Sequence, residues 1–201
     1  LVRAKLDGFL SIPATVLTAY PESDTSSPAI YARVAALHRM GRRAEAIQLT
    51  GTLIARQPRN PWFRELRGQI YFETGHPKEA VADYAEAVRL APDQPLLRQG
   101  LGQAQVETGD KATIRAAIPN LEIAQRADPS DEGTWHLLGV AWGRLGDVGR
   151  ANLALAEEAI LGDDRIAARR FAHIAAEALP PGPSRQRALD IEFATKKENR
   201  L

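Results

Sequence analysis

The sequence predicts an all-α fold made of a series of helical hairpins, on the strength of its composition and its period. Of the 201 residues, 44% are hydrophobic but only 6% are aromatic, so alanine and leucine carry the apolar content. This bias favours close-packed helices over a sheet. A spacing of 34 residues recurs among Gly41, Gly75 and Gly109, between Pro58 and Pro92, and between Ala46 and Ala80. Such a period is typical of repeat proteins, in which stacked hairpins shield one another's apolar faces.

Residues 1–26 are predicted to form a helical connector that leads into the repeats. The opening segment LVRAKLDGFL starts with Leu and has no apolar core of the kind found in a signal peptide. We therefore expect the chain to follow an upstream domain that is missing here. The polar stretch PESDTSSP near the end of the connector is predicted to be a linker.

The most regular unit spans residues 61–94 and predicts two helices separated by a glycine turn. The first helix contains Gly68 and Tyr71. In the tetratricopeptide repeat, which this unit resembles, these positions hold a small residue where helices cross and a large aromatic residue. Gly75 lies at the turn, and Pro92 ends the second helix because proline lacks an amide donor. The second helix carries an apolar stripe at helical spacing, formed by Ala80, Tyr84, Ala87, Val88 and Ala91. This pattern resembles the tetratricopeptide repeat, so the glycines are interpreted as spacers. A phosphate loop would need a preceding strand and a GK[ST] motif.

The other units match the pattern less closely. Arg67 stands where the repeat usually has an aliphatic residue, and the neighbouring Leu66 is expected to take over that packing. The third unit contains extra residues around KATIRAA. The predicted divisions are repeat units at 27–60, 61–94, 95–131 and 132–162, a partial unit at 163–180 and a cap helix at 184–198, within a repeat domain over residues 27–201. By the resemblance, the hairpins stack into a solenoid that forms a right-handed superhelix.

Composition argues against several classes of function. The chain has 26 basic and 25 acidic residues and a net charge of +1, whereas a nucleic-acid surface needs clustered Lys and Arg. It has no cysteine, which removes disulfides and thiolate chemistry. No apolar run approaches the roughly 20 residues that a membrane span needs. We therefore expect no nucleic-acid partner and no membrane span.

The sequence offers little support for catalysis. His173 and Glu177 lie four residues apart and could present two metal ligands on one helix face, but no third ligand is near them in sequence. The serines of the linker lack a G-x-S-x-G context. Carboxylate pairs such as Glu157 and Glu158 are interpreted as solvated charges. We expect no catalytic residue, metal site or cofactor in this chain.

The surface expected to carry function is the inner side of the superhelix, which the first helices line in this repeat family. Aromatic and amide side chains there suit an extended peptide or a partner's surface loop. The predicted groove residues are Tyr31, His38, Trp62, Glu65, Gln69, Phe72, Gln99, Gln103, His136 and Arg144. The alternative is that the aromatic residues only pack against neighbouring hairpins. The acid and the glutamines stand where repeats that clamp a chaperone's C-terminal carboxylate carry Lys, Arg and Asn, which disfavours that ligand.

Longer segments carry a closer resemblance. The chain contains KLDGFL at residues 5–10, YPESDTSSPAIYA at 20–32 and NPWFRELRGQIYFETG at 60–75. This arrangement resembles the C-terminal half of bacterial periplasmic zinc metallopeptidases of the BepA type. In those proteins, a short helical connector follows the protease domain and similar segments open the repeats.

The resemblance implies a substrate-docking repeat domain of a periplasmic protease that acts in outer-membrane protein quality control. Its partners would be protein or peptide segments, the upstream protease domain of the same polypeptide and outer-membrane assembly factors. The family's H-E-x-x-H motif and its zinc belong to the upstream domain, so no catalytic or zinc-binding residue carries over to this chain. The alternative is a stand-alone scaffold or adaptor of tetratricopeptide repeats without a linked protease.

Overall fold

The computed structural model describes residues 2–196, and within that range every regular element is an α-helix. The helices are α1 (Val2–Leu10), α2 (Pro13–Ala19), α3 (Ser27–Arg39), α4 (Arg43–Arg56), α5 (Pro61–Glu73), α6 (Pro77–Leu90), α7 (Pro95–Glu107), α8 (Lys111–Ala127), α9 (Glu132–Leu145), α10 (Val148–Leu161), α11 (Arg165–Ala178) and α12 (Pro183–Lys196). Residues 197 and 198 of the predicted cap helix lie outside the described residues. The chain divides into two compact units at residues 97 and 98, so α7 begins in the first unit and continues in the second.

The glycines that set the period lie at hairpin turns. Gly41, Gly75, Gly109 and Gly146 have φ angles of +76°, +79°, +73° and +85°. Residues with a side chain rarely adopt this left-handed conformation, so glycine is needed to reverse the chain here. At the turn between α10 and α11 the left-handed residue is Asp163, with φ of 56°, and not the neighbouring glycine.

A second set of glycines lets paired helices approach closely, which confirms the interpretation of Gly68 as a spacer. A Cβ added to Gly68 would lie 2.9 Å from the Tyr84 ring, closer than carbon atoms can pack. The same test at Gly102 meets a Leu121 methyl group at 2.6 Å. In both hairpins a first helix therefore contacts a large side chain of its second helix through the gap that glycine leaves.

The core of the first unit contains large side chains from α3, α4 and α5. Tyr31, Leu53, Phe63, Leu66 and Ile70 are fully buried there. Leu66 thus supplies apolar packing as predicted, while its neighbour Arg67 donates two hydrogen bonds to Asp83 of α6, at 2.6 and 2.7 Å. Arg64 also donates to Asp83, at 3.0 Å, so a buried carboxylate ties α5 to α6.

The connector packs against α3 and is hydrogen-bonded to it. Arg33 is buried, and its guanidinium donates to the backbone carbonyls of Tyr20, Pro21 and Asp24 at 3.2, 2.6 and 2.8 Å. Both α1 and α2 pack against α3. The division between a connector and a repeat domain at residue 26 stays a prediction, but the connector belongs to the compact first unit.

The last three helices of the second unit pack around small residues. Between α10, α11 and α12 the buried residues are mainly alanines, namely Ala156, Ala159, Ala168, Ala172, Ala175, Ala176 and Ala188. Helix α8 has 17 residues, compared with 14 in each of α4, α6 and α10, so the extra residues around KATIRAA lengthen the second helix of the third hairpin. Pro119 lies inside α8 and is exposed to solvent.

Candidate functional site

The predicted groove residues divide by their position along the first helices. Tyr31, Glu65, Gln99 and His136 are each the fifth residue of α3, α5, α7 and α9, and Arg169 is the fifth residue of α11. Tyr31 is only 1% exposed, and its ring lies 6.4 Å from that of Phe63 on α5. Burial also raises the pKa of its hydroxyl, with the Glu65 charge adding to the effect. The prediction that Tyr31 lines a groove is wrong, because its side chain is buried against α5 of the next hairpin.

Glu65 is also buried rather than open to a ligand. Its side-chain atom Oε2 has no hydrogen-bond partner within the described residues. Burial raises the pKa of the carboxyl group, and the positive charge of Lys5 on α1 opposes the shift. An uncompensated buried carboxylate costs free energy, so Glu65 is a source of strain in the first unit and not a groove residue as predicted.

Gln99 is held within the fold. Its amide nitrogen donates to the Asp131 carboxylate at 2.5 Å and to the Thr134 hydroxyl at 3.0 Å. Asp131 accepts hydrogen bonds from the backbone amides of Gly133 and Thr134, and thereby caps the start of α9. Gln99 therefore stabilises the junction between α7 and α9, and its amide nitrogen donates its hydrogen bonds within the fold.

In the first unit, α1 covers part of the surface that was expected to be a groove. A Cβ on Gly8 would lie 2.8 Å from the Cβ of Ala35, so the two helices touch closely. Arg39 donates to the carbonyl oxygens of Gly8 at 3.0 Å and Ser11 at 2.5 Å. The Lys5 ammonium lies 6.0 Å from the centre of the Trp62 ring, at the limit of a cation–π contact. Trp62 itself is half-buried.

Two of the remaining predicted residues of the first unit, His38 and Gln69, are joined through a carboxylate. His38 Nε2 lies 2.5 Å from Glu73, and Gln69 donates to the other oxygen of Glu73 at 2.8 Å. Glu73, which the sequence analysis did not include, thus links the two. Phe72 is half-buried.

The second unit keeps a more open row, here called the α7–α9 face and defined by Gln103, His136, Val140 and Arg144. The side chains of His136 and Arg144 are 55% and 41% exposed. Arg144 donates to the Val106 carbonyl at 2.5 Å, which fixes the guanidinium against α7. His136 Nδ1 lies 3.1 Å from a carboxylate oxygen of Glu158. The face thus offers an amide, a cation and an apolar side chain in a row, which suits a peptide backbone with mixed side chains.

One basic surface was missed by the sequence analysis. An open groove of about 820 Å³ lies between α11 and α12, and we call it the α11–α12 groove. Its cationic side chains are Arg165, Arg169, Arg170 and Lys196, and Glu192 is its carboxylate. The sequence signal was the run RIAARRFAH, which the repeat pattern assigned to a partial unit.

The pair singled out as two metal ligands forms an ordinary polar contact. His173 lies 3.5 Å from carboxylate oxygens of both Glu177 and Glu192, and Lys196 binds Glu192 at 2.6 Å. Residues 2–196 contain no group of three or more side chains arranged to hold a metal ion. Over the same range, no helix combines the length and apolarity that crossing a bilayer requires.

Among curated proteins, the chain is similar to the beta-barrel assembly-enhancing protease of Yersinia pestis. The two are 32% identical over 111 residues, which is 55% of this chain and 22% of that protein. The matched region therefore spans only about a fifth of the protease's length.

Solved structures show the same fold. MamA (residues 41 to the end) from Desulfovibrio magneticus RS-1 matches with a TM-score of 0.62 and 14% identity, covering 96% of this chain and 97% of that one. A thermophilic tetratricopeptide-repeat protein of Thermus thermophilus matches with a TM-score of 0.54 and 19% identity, covering 84% and 96%. The family model for the tetratricopeptide repeat matches residues 30–156. The predicted fold class is confirmed, and the chain belongs to the tetratricopeptide-repeat family.

Proposed function

We propose that this chain is the substrate-docking domain of a periplasmic zinc metallopeptidase that acts in outer-membrane protein quality control. The observation that carries the proposal is the 32% identity to the beta-barrel assembly-enhancing protease. The segments at residues 5–10, 20–32 and 60–75, which resemble metallopeptidases of the BepA type, support the same assignment. On this proposal, the zinc and the catalytic residues lie in an upstream domain, and this chain binds protein segments.

The α7–α9 face is the surface that best supports binding. In the first unit, Tyr31 and Glu65 are buried and α1 lies over part of α3. In the second unit, His136 and Arg144 remain accessible and are held in place by Glu158 and the Val106 carbonyl. Side chains that are already positioned lose less conformational entropy when a partner binds, which favours affinity.

The binding surface can be tested with a fluorescently labelled outer-membrane β-barrel protein, diluted from urea so that it stays unfolded. We expect His136→Ala with Arg144→Ala to weaken its binding by about tenfold, which corresponds to ~1.4 kcal/mol. Trp62→Ala with Gln69→Ala should weaken it as well, but by less, because Trp62 is half-buried beside Lys5. Circular dichroism must show unchanged helical content in both pairs. Unaltered affinity in both pairs would move the contact surface elsewhere.

The link to a protease is tested by the gene itself. We expect the preceding stretch, roughly 200–300 residues as for an ordinary domain, to encode an H-E-x-x-H motif on a helix behind a signal peptide. Its absence would overturn the protease assignment and the periplasmic location. It would leave the alternative of a stand-alone repeat scaffold.

A further inference from the structure

We propose that the α11–α12 groove binds an acidic helical segment of a partner protein, with an apolar side chain of that segment resting on Ile166. The inference rests on the proposed protein-binding function and deepens it, because it names a second surface and the chemistry of its partner. Three features of the groove support it: its charge, its exposed apolar residue and its place in the repeat.

The charge of the groove is strongly one-sided. Among residues 2–196, the groove is lined by the cations Arg165, Arg169, Arg170 and Lys196 and by one carboxylate, that of Glu192. A solvated helix face usually mixes both signs, so four cations around one acid form a local field that attracts an anionic partner. Because the whole chain has a net charge of only +1, this field belongs to the groove and not to the protein at large.

Glu192 does not neutralise the arginines, because its carboxylate already contacts Lys196 and His173. Lys196 lies 2.6 Å from it and His173 lies 3.5 Å from it. The hydrogen bond from Lys196, and the charges of Lys196 and His173, lower the pKa of Glu192 against a smaller opposing effect of burial. Within residues 2–196 neither Arg169 nor Arg170 has a carboxylate at ion-pair distance, and Arg170 instead lies over the Phe171 ring at 4.8 Å. These two guanidiniums can pair with acids from outside.

An apolar side chain lies beside these charges. Ile166 lines the groove and is 86% exposed, the most exposed of the large hydrophobic residues in the described part of the chain. A purely polyanionic partner such as a nucleic acid would leave Ile166 in water. A segment that alternates acids with leucines would use both the isoleucine and the arginines, so a protein partner is favoured.

The repeat indicates the shape of the occupant. In the first unit, the surface of α3 and α4 receives the next helix, α5, and Tyr31 at the fifth position of α3 packs against Phe63 of α5. Arg169 is the fifth residue of α11 and lines the α11–α12 groove. A helix of the partner that lies in this groove would meet α11 as α5 meets α3, with acids in place of Phe63.

The test uses the whole chain and a synthetic helical peptide of about four turns, with glutamates on one face and leucines on the other. A matched peptide replaces every glutamate by glutamine. A fluorophore on the N-terminus of each peptide reports binding by anisotropy, so that Ile166 and the arginines stay unmodified. We expect the acidic peptide to bind at least about tenfold more tightly than the glutamine peptide and to lose that advantage in high salt.

Charge-reversal variants then test whether the two arginines bind the acidic peptide. Arg169→Glu with Arg170→Glu should weaken binding of the acidic peptide by at least about tenfold, while Arg115→Glu on the exposed face of α8 should change it by less than about twofold. Equal binding of the two peptides, or equal binding by the charge-reversed variant, would overturn the proposal. Single-stranded DNA that binds more tightly than the acidic peptide would also overturn it, as would self-association that Ile166→Glu abolishes.

The two binding experiments distinguish failure of the groove assignment from failure of the proposed function. If the unfolded β-barrel protein still binds the α7–α9 face but the acidic peptide does not bind, only the groove assignment fails. If the acidic peptide binds and the β-barrel protein does not, the groove stands and the substrate-docking role fails.

Discussion

The two compact units use their charges in different ways. In the first unit, Asp83 is buried and accepts hydrogen bonds from Arg64 and Arg67, and the buried Arg33 is bonded to three carbonyl groups. In the second unit, Arg169 and Arg170 are exposed along a groove. One repeat fold thus supports an interior held by ionic contacts in the first unit and a charged surface in the second. The charges of the first unit are expected to control stability, and those of the second unit to control binding.

The largest expected effect is that of Asp83→Ala. The substitution leaves Arg64 and Arg67 without their shared carboxylate, and the side chain of Asp83 is only 5% exposed. We expect the free energy of unfolding to fall by roughly 3 kcal/mol. Urea denaturation measures it, with Trp62 as the sole tryptophan of a variant in which Trp135 and Trp142 are replaced by Phe. Such a reporter follows the first unit alone.

The control is Glu86→Ala, which removes an exposed pair with Arg89 on the same helix. Exposed pairs contribute little to stability, so this variant should unfold almost like the parent. A loss in Asp83→Ala no larger than that in Glu86→Ala would show that the buried network is not what stabilises the first unit.

Substitution of the spacer glycine is expected to come next. Gly68→Leu places a side chain against the buried Tyr84 ring, which a Cβ alone would approach to 2.9 Å. Overpacking of this kind typically costs about 1–3 kcal/mol. Thermal unfolding followed by circular dichroism measures the change. Gly51→Ala is the matched control, because no atom lies within 4 Å of its added Cβ, and there we expect a small gain in stability. An unchanged melting curve for Gly68→Leu would contradict the assigned packing.

A smaller effect is expected at Glu65, with a defined dependence on pH. Because burial raises the pKa of this carboxyl in the folded chain, its contribution to stability is complete below the ordinary value of 4.5 and is lost as the pH rises through the higher folded value. Glu65→Gln should therefore stabilise the first unit at pH 7, by about 1 kcal/mol, and flatten the pH profile. Urea midpoints at several pH values measure this.

Glu22→Gln, at an exposed acid of the linker, is the control and should leave the stability at pH 7 nearly unchanged. A Glu65→Gln variant that is less stable at pH 7 would mean that the attraction between Glu65 and Lys5 exceeds the cost of burial.

Local features of the fold could be predicted because the repeat encodes them in single residues. Gly75 and Gly109 mark turns since only glycine adopts their φ angles readily, and Gly68 marks a crossing since any side chain there would meet Tyr84. The pairing of Arg67 with Asp83 could not be predicted in this way. Those residues lie on different helices, and the repeat pattern describes only apolar positions.

Which of the predicted groove residues are exposed could be predicted less well, for a geometric reason. The fifth residues of the first helices differ in their surroundings. Tyr31 and Gln99 pack against the next hairpin, whereas His136 and, nearer the end of α9, Arg144 stay exposed. Helix α1 packs over α3 through the close approach of Gly8 to Ala35. Gly8 lies outside the repeats, so the repeat pattern does not predict this contact. The 34-residue period therefore predicts neither the packing of α1 on α3 nor the α11–α12 groove.

The added length of α8 has a consequence for how such proteins diversify. Three residues lengthen a helix by about 4.5 Å and rotate it by about 300°, so a helix can absorb them with only a modest change in which side faces its partner. Ile118, Leu121 and Ala124 indeed remain buried in α8. An insertion of this size can therefore lengthen a second helix while the apolar face that packs against the neighbouring helices is kept.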